Sequence, residues 1–143
     1  MKKKRGSETP KVVIGVMICD DKERILLIRS HKWGNKYIVC GGKLEWGEEL
    51  EECVKREVKE EVGLKIEKIE LIFVFESVFS LEFYKREHMI FLNYCCRKIG
   101  GKVNLNNEAD GFVWVALEKA LGMDLNFSTK EFVRRYIKFK ARG

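Results

Sequence analysis

The chain has 143 residues, with 28 Lys and Arg against 22 Asp and Glu, a formal net charge of +6, and 45% hydrophobic residues. This length supports one domain with a sizeable core and excludes two comfortable ones. No apolar run approaches the ~20 residues that a membrane span needs. Residues 1–5 (MKKKR) have no apolar segment behind them, which excludes a secretory signal and leaves the cytoplasm as the expected location. Residues 1–9 are expected to form a flexible basic tail, the one place where nucleic acid could be held.

Residues 12–19 (VVIGVMIC) are apolar on both alternating faces, as in a strand buried on two sides. A turn at Asp20, Asp21 and Lys22 leads to a second strand at 25–28. Residues 29–36 (RSHKWGNK) read as a polar, basic loop around Trp33. A short strand at 37–39 runs into a glycine-rich turn at Cys40, Gly41 and Gly42, where paired glycines permit close approach by a ligand. A helix follows, with Gly63 as its C-cap. Residues 66–79, rich in β-branched and aromatic side chains, form one long strand or a bent pair. A polar connection at 80–88 precedes a strand at 89–98, a turn at Gly100 and Gly101, a last strand at 112–116 and a short helix at 117–121. Ser128, with Glu131 three residues on, gives a capping-box signal for a C-terminal helix ending near Lys140. Strands on both sides of one central helix, with a second helix closing the chain, predict a mixed sheet between helical layers.

The five cysteines, Cys19, Cys40, Cys53, Cys95 and Cys96, are odd in number, form no C-x-x-C pair and lie mostly in apolar runs. They read as buried free thiols of a reducing compartment. Cys95 and Cys96 are adjacent on a strand and fall on opposite faces, which argues against a shared zinc site.

The central helix carries carboxylates in the wrong place. At about 3.6 residues per turn, Leu50, Cys53, Val54 and Val58 make an apolar stripe wide enough to pack on a core. Glu57 and Glu61 fall inside that stripe and Glu60 on its edge, while Glu52, Lys55 and Lys59 occupy the opposite, solvated side. Two carboxylates ~4 Å apart repel by roughly 4 kcal/mol at an effective dielectric of ~20. Three remedies exist: protonation, pairing with Lys or Arg, or a hard divalent cation, for which carboxylate oxygens are the usual ligands.

Residues 42–64 (GKLEWGEELEECVKREVKEEVGL) fill every fixed position of the pattern G-x5-E-x7-R-E-U-x-E-E-x-G-U, where U is aliphatic: Gly42, Glu48, Arg56, Glu57, Val58, Glu60, Glu61, Gly63 and Leu64. That pattern is the signature of the Nudix hydrolases, and the chain resembles MutT-type members. The resemblance implies an α/β/α sandwich over most of the chain, and water-driven cleavage of a phosphoanhydride in a nucleoside diphosphate derivative. It implies that Glu57, Glu60 and Glu61, with the carbonyl of Gly41, hold Mg²⁺ or Mn²⁺. It also implies that Arg56 orients a box carboxylate and that Glu48 braces Arg56 or satisfies N–H groups at the helix start. Glu108 matches the further carboxylate that many MutT-type members place before the last strand, as metal ligand or general base, with Glu57 the rival for the base.

The proline and tyrosine markers of the ADP-ribose and diadenosine polyphosphate subfamilies are absent at Ser80, Leu81 and Glu82. Residues 87–126 are similar to the bacterial Nudix nucleoside triphosphatases, which makes a nucleoside triphosphate the expected substrate, cleaved to monophosphate and pyrophosphate. ADP-ribose, a nucleotide sugar, a capped RNA end and a non-catalytic binding role are the alternatives. Arg29, Lys36 and Lys43 are candidates for phosphate contact, and Asn126 with Phe83 or Trp33 for holding the base. His31 and His88 read as surface residues, and the chain as a monomer or homodimer.

Overall fold

Alternating side chains along the first two strands sort themselves into two separate cores. In the computed structural model, which describes residues 8–143, β1 (Lys11–Cys19) sends Ile14, Val16 and Ile18 to one face and Met17 and Cys19 to the other. β2 (Arg24–Ser30) divides Leu26 and Ile28 from Ile25 and Leu27 in the same way. The first face is covered by α1 (Leu50–Val62) through Cys53, Val54, Val58 and Val62. The second is covered by α3 (Phe127–Ala141) through Phe132, Val133 and Tyr136, with Ala120 of the short α2 (Leu117–Ala120) beside them. Each fully buried side chain of this size contributes ~1.5–3 kcal/mol. The layering is the expected α/β/α sandwich.

β6 (His88–Gly100) lies parallel to β1 along the whole of it, from Lys11 opposite Met89 to Cys19 opposite Arg97. β5 (Lys65–Val78) runs antiparallel on the outer side of β6. β1 and β2 are paired only at Cys19 and Ile25, beside their connecting turn, and then part company. The gap is filled from both sides: β3 (Lys36–Ile38) pairs with β2 and β4 (Cys40–Lys43) with β1, and Val39 alone crosses between them. β7 (Ala109–Ala116) closes the other edge of β2. Seven strands therefore make one mixed sheet with a wedge in it.

Several expectations need correction. The glycine-rich turn is a strand, because Gly41 and Gly42 pair edge-on with Gly15 and Ile14 of β1. β2 extends through Ser30, whose hydroxyl accepts from the N–H of Lys32 and opens a single 3-10 turn (His31–Trp33) where a loop was expected. For residues 66–79 the first of the two expected alternatives holds, since β5 is one long strand with register shifts against β6. Gly100 ends β6 opposite Lys65, and Gly101 makes the turn alone with φ 92°. Leu50 is exposed, since it is the first residue of α1 and stands clear of the sheet. The C-terminal helix starts one residue before Ser128, capped by Asn126, whose Oδ1 accepts from the N–H of Thr129 at 3.0 Å. The Ser128–Glu131 capping box is thus absent.

Gly63 is the C-cap as expected, with φ 72° and its N–H shared between the carbonyls of Lys59 and Val58. All five cysteines are free and buried, with Cys95 and Cys96 in opposite cores. Burial pushes the thiols up, that of Cys53 to about 12 and that of Cys95 to about 11. Among the described residues no helix is long and apolar enough to cross a membrane. The basic residues of the expected tail, Lys2 to Arg5, lie outside the described residues.

Candidate active site

The register of α1 against β4 brings the box carboxylates to the double glycine. Glu61, 6% exposed, accepts from the main-chain N–H of Gly41 at 2.7 Å. Desolvation pushes its carboxyl up to about 8, against the pull of the Gly41 N–H and with help from the nearby charges of Glu108 and Glu57. Glu57, one turn earlier, lies directly against Gly42, where a Cβ would overlap its carboxylate. Its carboxyl is also raised by burial, with Arg56 opposing and Glu60 and Glu108 adding. Glycine at 42 is therefore the condition for a carboxylate at this spot.

Arg56 gathers the other acids. Its Nε and Nη2 donate to the two oxygens of Glu48 at 2.6 and 2.9 Å, and its Nη1 donates to Glu57 at 2.8 Å and Glu60 at 3.1 Å. Nη2 also reaches the carbonyl of Lys43 at 3.2 Å, tying the helix to β4. A planar guanidinium can serve several acceptors in one plane, which an ammonium cannot. The Arg56 hydrogen bonds hold the Glu48 carboxyl at about 2, and Glu48 also accepts from the N–H of Glu45.

The wedge between β1 and β2 opens into a cavity of about 250 Å³. Val13 and Gly15 of β1 and Phe91 and Asn93 of β6 line it, with residues 38–43 where the chain crosses from β3 to β4. Trp33 and Phe83, ring centroids 4.5 Å apart, contribute aromatic surface, and Asn126, Thr129 and Phe132 belong to the α3 side. Glu61 at Gly41, Glu87 and Glu108 supply the acidic groups of the lining, Glu87 being paired with Lys11 at 2.9 Å and Lys85 at 3.4 Å. Lys32 donates to Glu108 at 3.0 Å, and Lys11, Lys43 and Lys85 also line the cavity.

Of the residues singled out from the sequence, Gly41, Lys43, Glu61, Glu108, Asn126, Trp33 and Phe83 line this cavity. Glu57 and Arg56 stand behind Gly42 and Lys43, and Glu60 sits exposed at the outer edge of the Arg56 cluster. Arg29 and Lys36 are elsewhere: Arg29 is paired with Asp110 at 3.1 Å and Lys36 with Asp124 at 3.0 Å, and neither lines the cavity. Asn126 is 1% exposed and spends its Oδ1 on the helix cap. His31 is exposed, whereas His88 begins β6 with its Nε2 2.8 Å from the Glu76 carboxylate.

Lys11, Lys32, Lys85 and Asn93 were not anticipated. Nothing in the sequence separates those lysines from the other basic residues. Asn93 did carry a signal, a lone amide in the apolar run MIFLNYCC.

Comparisons with known proteins bear on the family and the fold. The NUDIX domain family matches residues 9–136. The nucleoside triphosphatase NudI of Escherichia coli K12 is 30% identical over 105 residues, which are 69% of this chain and 74% of that protein. The MutT NUDIX hydrolase from Burkholderia pseudomallei superposes with a TM-score of 0.78 at 27% identity, over 90% of this chain and 98% of its own. The NUDIX domain of Shewanella oneidensis NrtR, solved with ADP ribose, superposes with a TM-score of 0.76 over 92% of this chain and 88% of its own. Its 14% identity speaks for the fold alone. A carboxylate-bearing helix set against a double glycine in an α/β/α sandwich, with these matches, makes the protein a Nudix-type hydrolase, and the chain belongs to the Nudix hydrolase family.

Proposed function

We propose that this Nudix hydrolase cleaves a nucleoside triphosphate to the monophosphate and pyrophosphate with the help of Mg²⁺ or Mn²⁺. The observation that carries the reading is the placing of Glu61 on Gly41 and of Glu57 against Gly42, beside a cavity that Glu61 and Glu108 line together with aromatic rings and four lysines. The name of the NudI relative points to the same substrate class.

The donor set fits a hard divalent cation. Glu61 is buried with one N–H as partner, and its neighbours are acids, a combination that a doubly charged ion relieves. Among the described residues no three acidic, His or Cys side chains are already gathered closely enough to hold an ion. Arg56 holds Glu57 and Glu60, and Lys32 holds Glu108, so loading exchanges these partners. Glu57, Glu60, Glu61 and the carbonyl of Gly41 are the proposed ligands, with Glu108 joining them or acting as base. When bound, such an ion neutralises phosphate oxygens and lowers the pKa of a bound water.

The chain's own groups do the rest. Lys11, Lys32, Lys43 and Lys85 line the cavity and align the phosphates, for which Lys11 and Lys85 exchange Glu87 and Lys32 exchanges Glu108, whereas Arg29 and Lys36 stand outside it. Of the two candidates for the base, Glu108 suits the task better, because it lines the cavity and Glu57 does not, although each is held by a cation, Lys32 and Arg56 respectively. Glu108 takes the proton of the attacking water, the water oxygen bonds to one phosphorus of the α–β anhydride, and the bridging oxygen leaves with the other.

Incubation with the common nucleoside triphosphates, ADP-ribose and a nucleotide sugar tests the reading. Pyrophosphate and monophosphate released with Mg²⁺ and abolished by chelator support it. Orthophosphate as the product, or turnover of ADP-ribose alone, contradicts it.

A further inference from the structure

Six polar side chains are buried among the described residues: Asp20, Ser30, Glu61, Asn93, Asn126 and Thr129. Asp20 accepts from Arg24, Ser30 from Lys32, Glu61 from Gly41, Asn126 from Thr129 and Thr129 from Val39. Asn93, 3% exposed, is the exception, for its carboxamide has no hydrogen-bond partner among the described residues. A buried amide without a partner is disfavoured, and such exceptions call for a reason. No fully enclosed side-chain N or O among the described residues lacks a partner, so the Asn93 amide opens into the cavity that Asn93 lines.

Its position is prepared by neighbouring strands. Asn93 of β6 is in register with Gly15 of β1, which is in register with Gly41 of β4. A Cβ on Gly15 would overlap Oδ1 of Asn93, so glycine there leaves the amide its place. Two residues to either side on the same face of β6, Phe91 belongs to the aromatic cluster with Trp33 and Cys95 to the α3 core. Along this face of β6 the amide is thus a polar group between apolar neighbours.

We propose that Asn93 reads the edge of the nucleobase and is the specificity-determining residue of a base subsite between Trp33, Phe91 and α3. The inference rests on the nucleotide reading above. A carboxamide presents one acceptor beside one donor, the complement of a heterocycle edge on which a ring N–H or amino group adjoins a ring nitrogen or carbonyl. Aromatic neighbours suit the flat faces of such a ring.

The test compares wild type with Asn93→Leu, which removes both hydrogen-bonding functions, and Asn93→Asp, which keeps the shape and replaces the donor by an acceptor. Substrates are ATP, GTP, CTP, UTP and base-less ribose 5-triphosphate, with folding checked by circular dichroism. Asn93→Leu should lower kcat/KM for nucleotides relative to the base-less compound ~10-fold, mainly through KM. Asn93→Asp should raise the preference for GTP, whose N1–H and N2–H offer two adjacent donors, over ATP by a similar factor. Equal losses on every substrate, base-less included, or no change in either variant, overturns the base contact and leaves the hydrolase reading standing. A wild type that neither turns over nor binds any of the nucleotides, followed by calorimetric titration, overturns both.

Discussion

The main-chain N–H of Gly41 and Oε1 of Glu61 meet at 2.7 Å across the seam between β4 and α1, 20 positions apart in sequence. Among the described residues that bond is the one hydrogen bond to a buried carboxylate that has the acids Glu108 and Glu57 for neighbours, and its carboxyl is raised to about 8. The folded-state value lies above the ordinary 4.5 of the unfolded chain. The stabilising contribution of the protonated form is therefore complete below about pH 4.5 and lost as pH rises through about 8. In chelator, Tm should fall across this window relative to Glu61→Gln, the difference reaching on the order of a few kcal/mol above pH 8. Millimolar Mg²⁺ should restore it by linkage, and should not do so in the variant. Thermal melts of both proteins from pH 5 to 9 check this, and parallel curves in chelator would contradict it. Glu61→Gln should also lower kcat by two orders of magnitude or more.

The two glycines of β4 predict opposite failures. A Cβ on Gly42 would strike the Glu57 carboxylate, the movable end of a side chain, whereas a Cβ on Gly41 would strike the carbonyl of Ile14 in the backbone of β1. Gly42→Ala should keep the fold, with Tm lowered by roughly 3 °C or less, and cut kcat ~100-fold by displacing Glu57. Gly41→Ala should lose several kcal/mol of stability through the forced shift of β4 from β1. Melting curves and turnover measured on both variants separate the cases.

Arg56→Lys tests whether charge or shape matters at the acid cluster. A lysine keeps the charge but cannot reach both oxygens of Glu48, Glu57 and Glu60 together. The expected result is a Tm lower by roughly 5 °C and a kcat reduced at least ~10-fold. Wild-type values for both would show that charge alone suffices.

Asn126 has two possible uses, and substitutions tell them apart. Asn126→Ala should cost about 1 kcal/mol in urea denaturation through the lost helix cap, and Asn126→Ser should recover most of it. If the amide nitrogen also serves substrate, KM should rise in both variants alike.

The sequence made the layers legible because strand alternation and helix periodicity are local properties. Residues 12–19 read as a strand buried on two sides and 25–28 as a second strand, and both strands send side chains into each core. The inward carboxylates of α1 were legible for the same reason, as Glu57 and Glu61 broke an otherwise regular stripe. What escaped were features made by distant segments meeting. Gly41 and Gly42 became a strand only because β1 lay open to receive them. Asn126 outcompeted Ser128 as cap because the helix start is fixed by its approach to Val39 and Tyr37. Lys11, Lys32 and Lys85 are conspicuous only once the wedge gathers them, and Arg29 and Lys36 found acidic partners, Asp110 and Asp124, some 80 or more residues away.

The five enclosed thiols have a consequence for the folded molecule as a whole. With each pushed away from its reactive anion by burial, alkylating reagents and mild oxidants at neutral pH can modify the chain only during excursions that uncover its interior. Cys53 and Cys96 report on the α1 side of the sheet and Cys19 and Cys95 on the α3 side, so mass-resolved labelling would time the detachment of each helical layer separately.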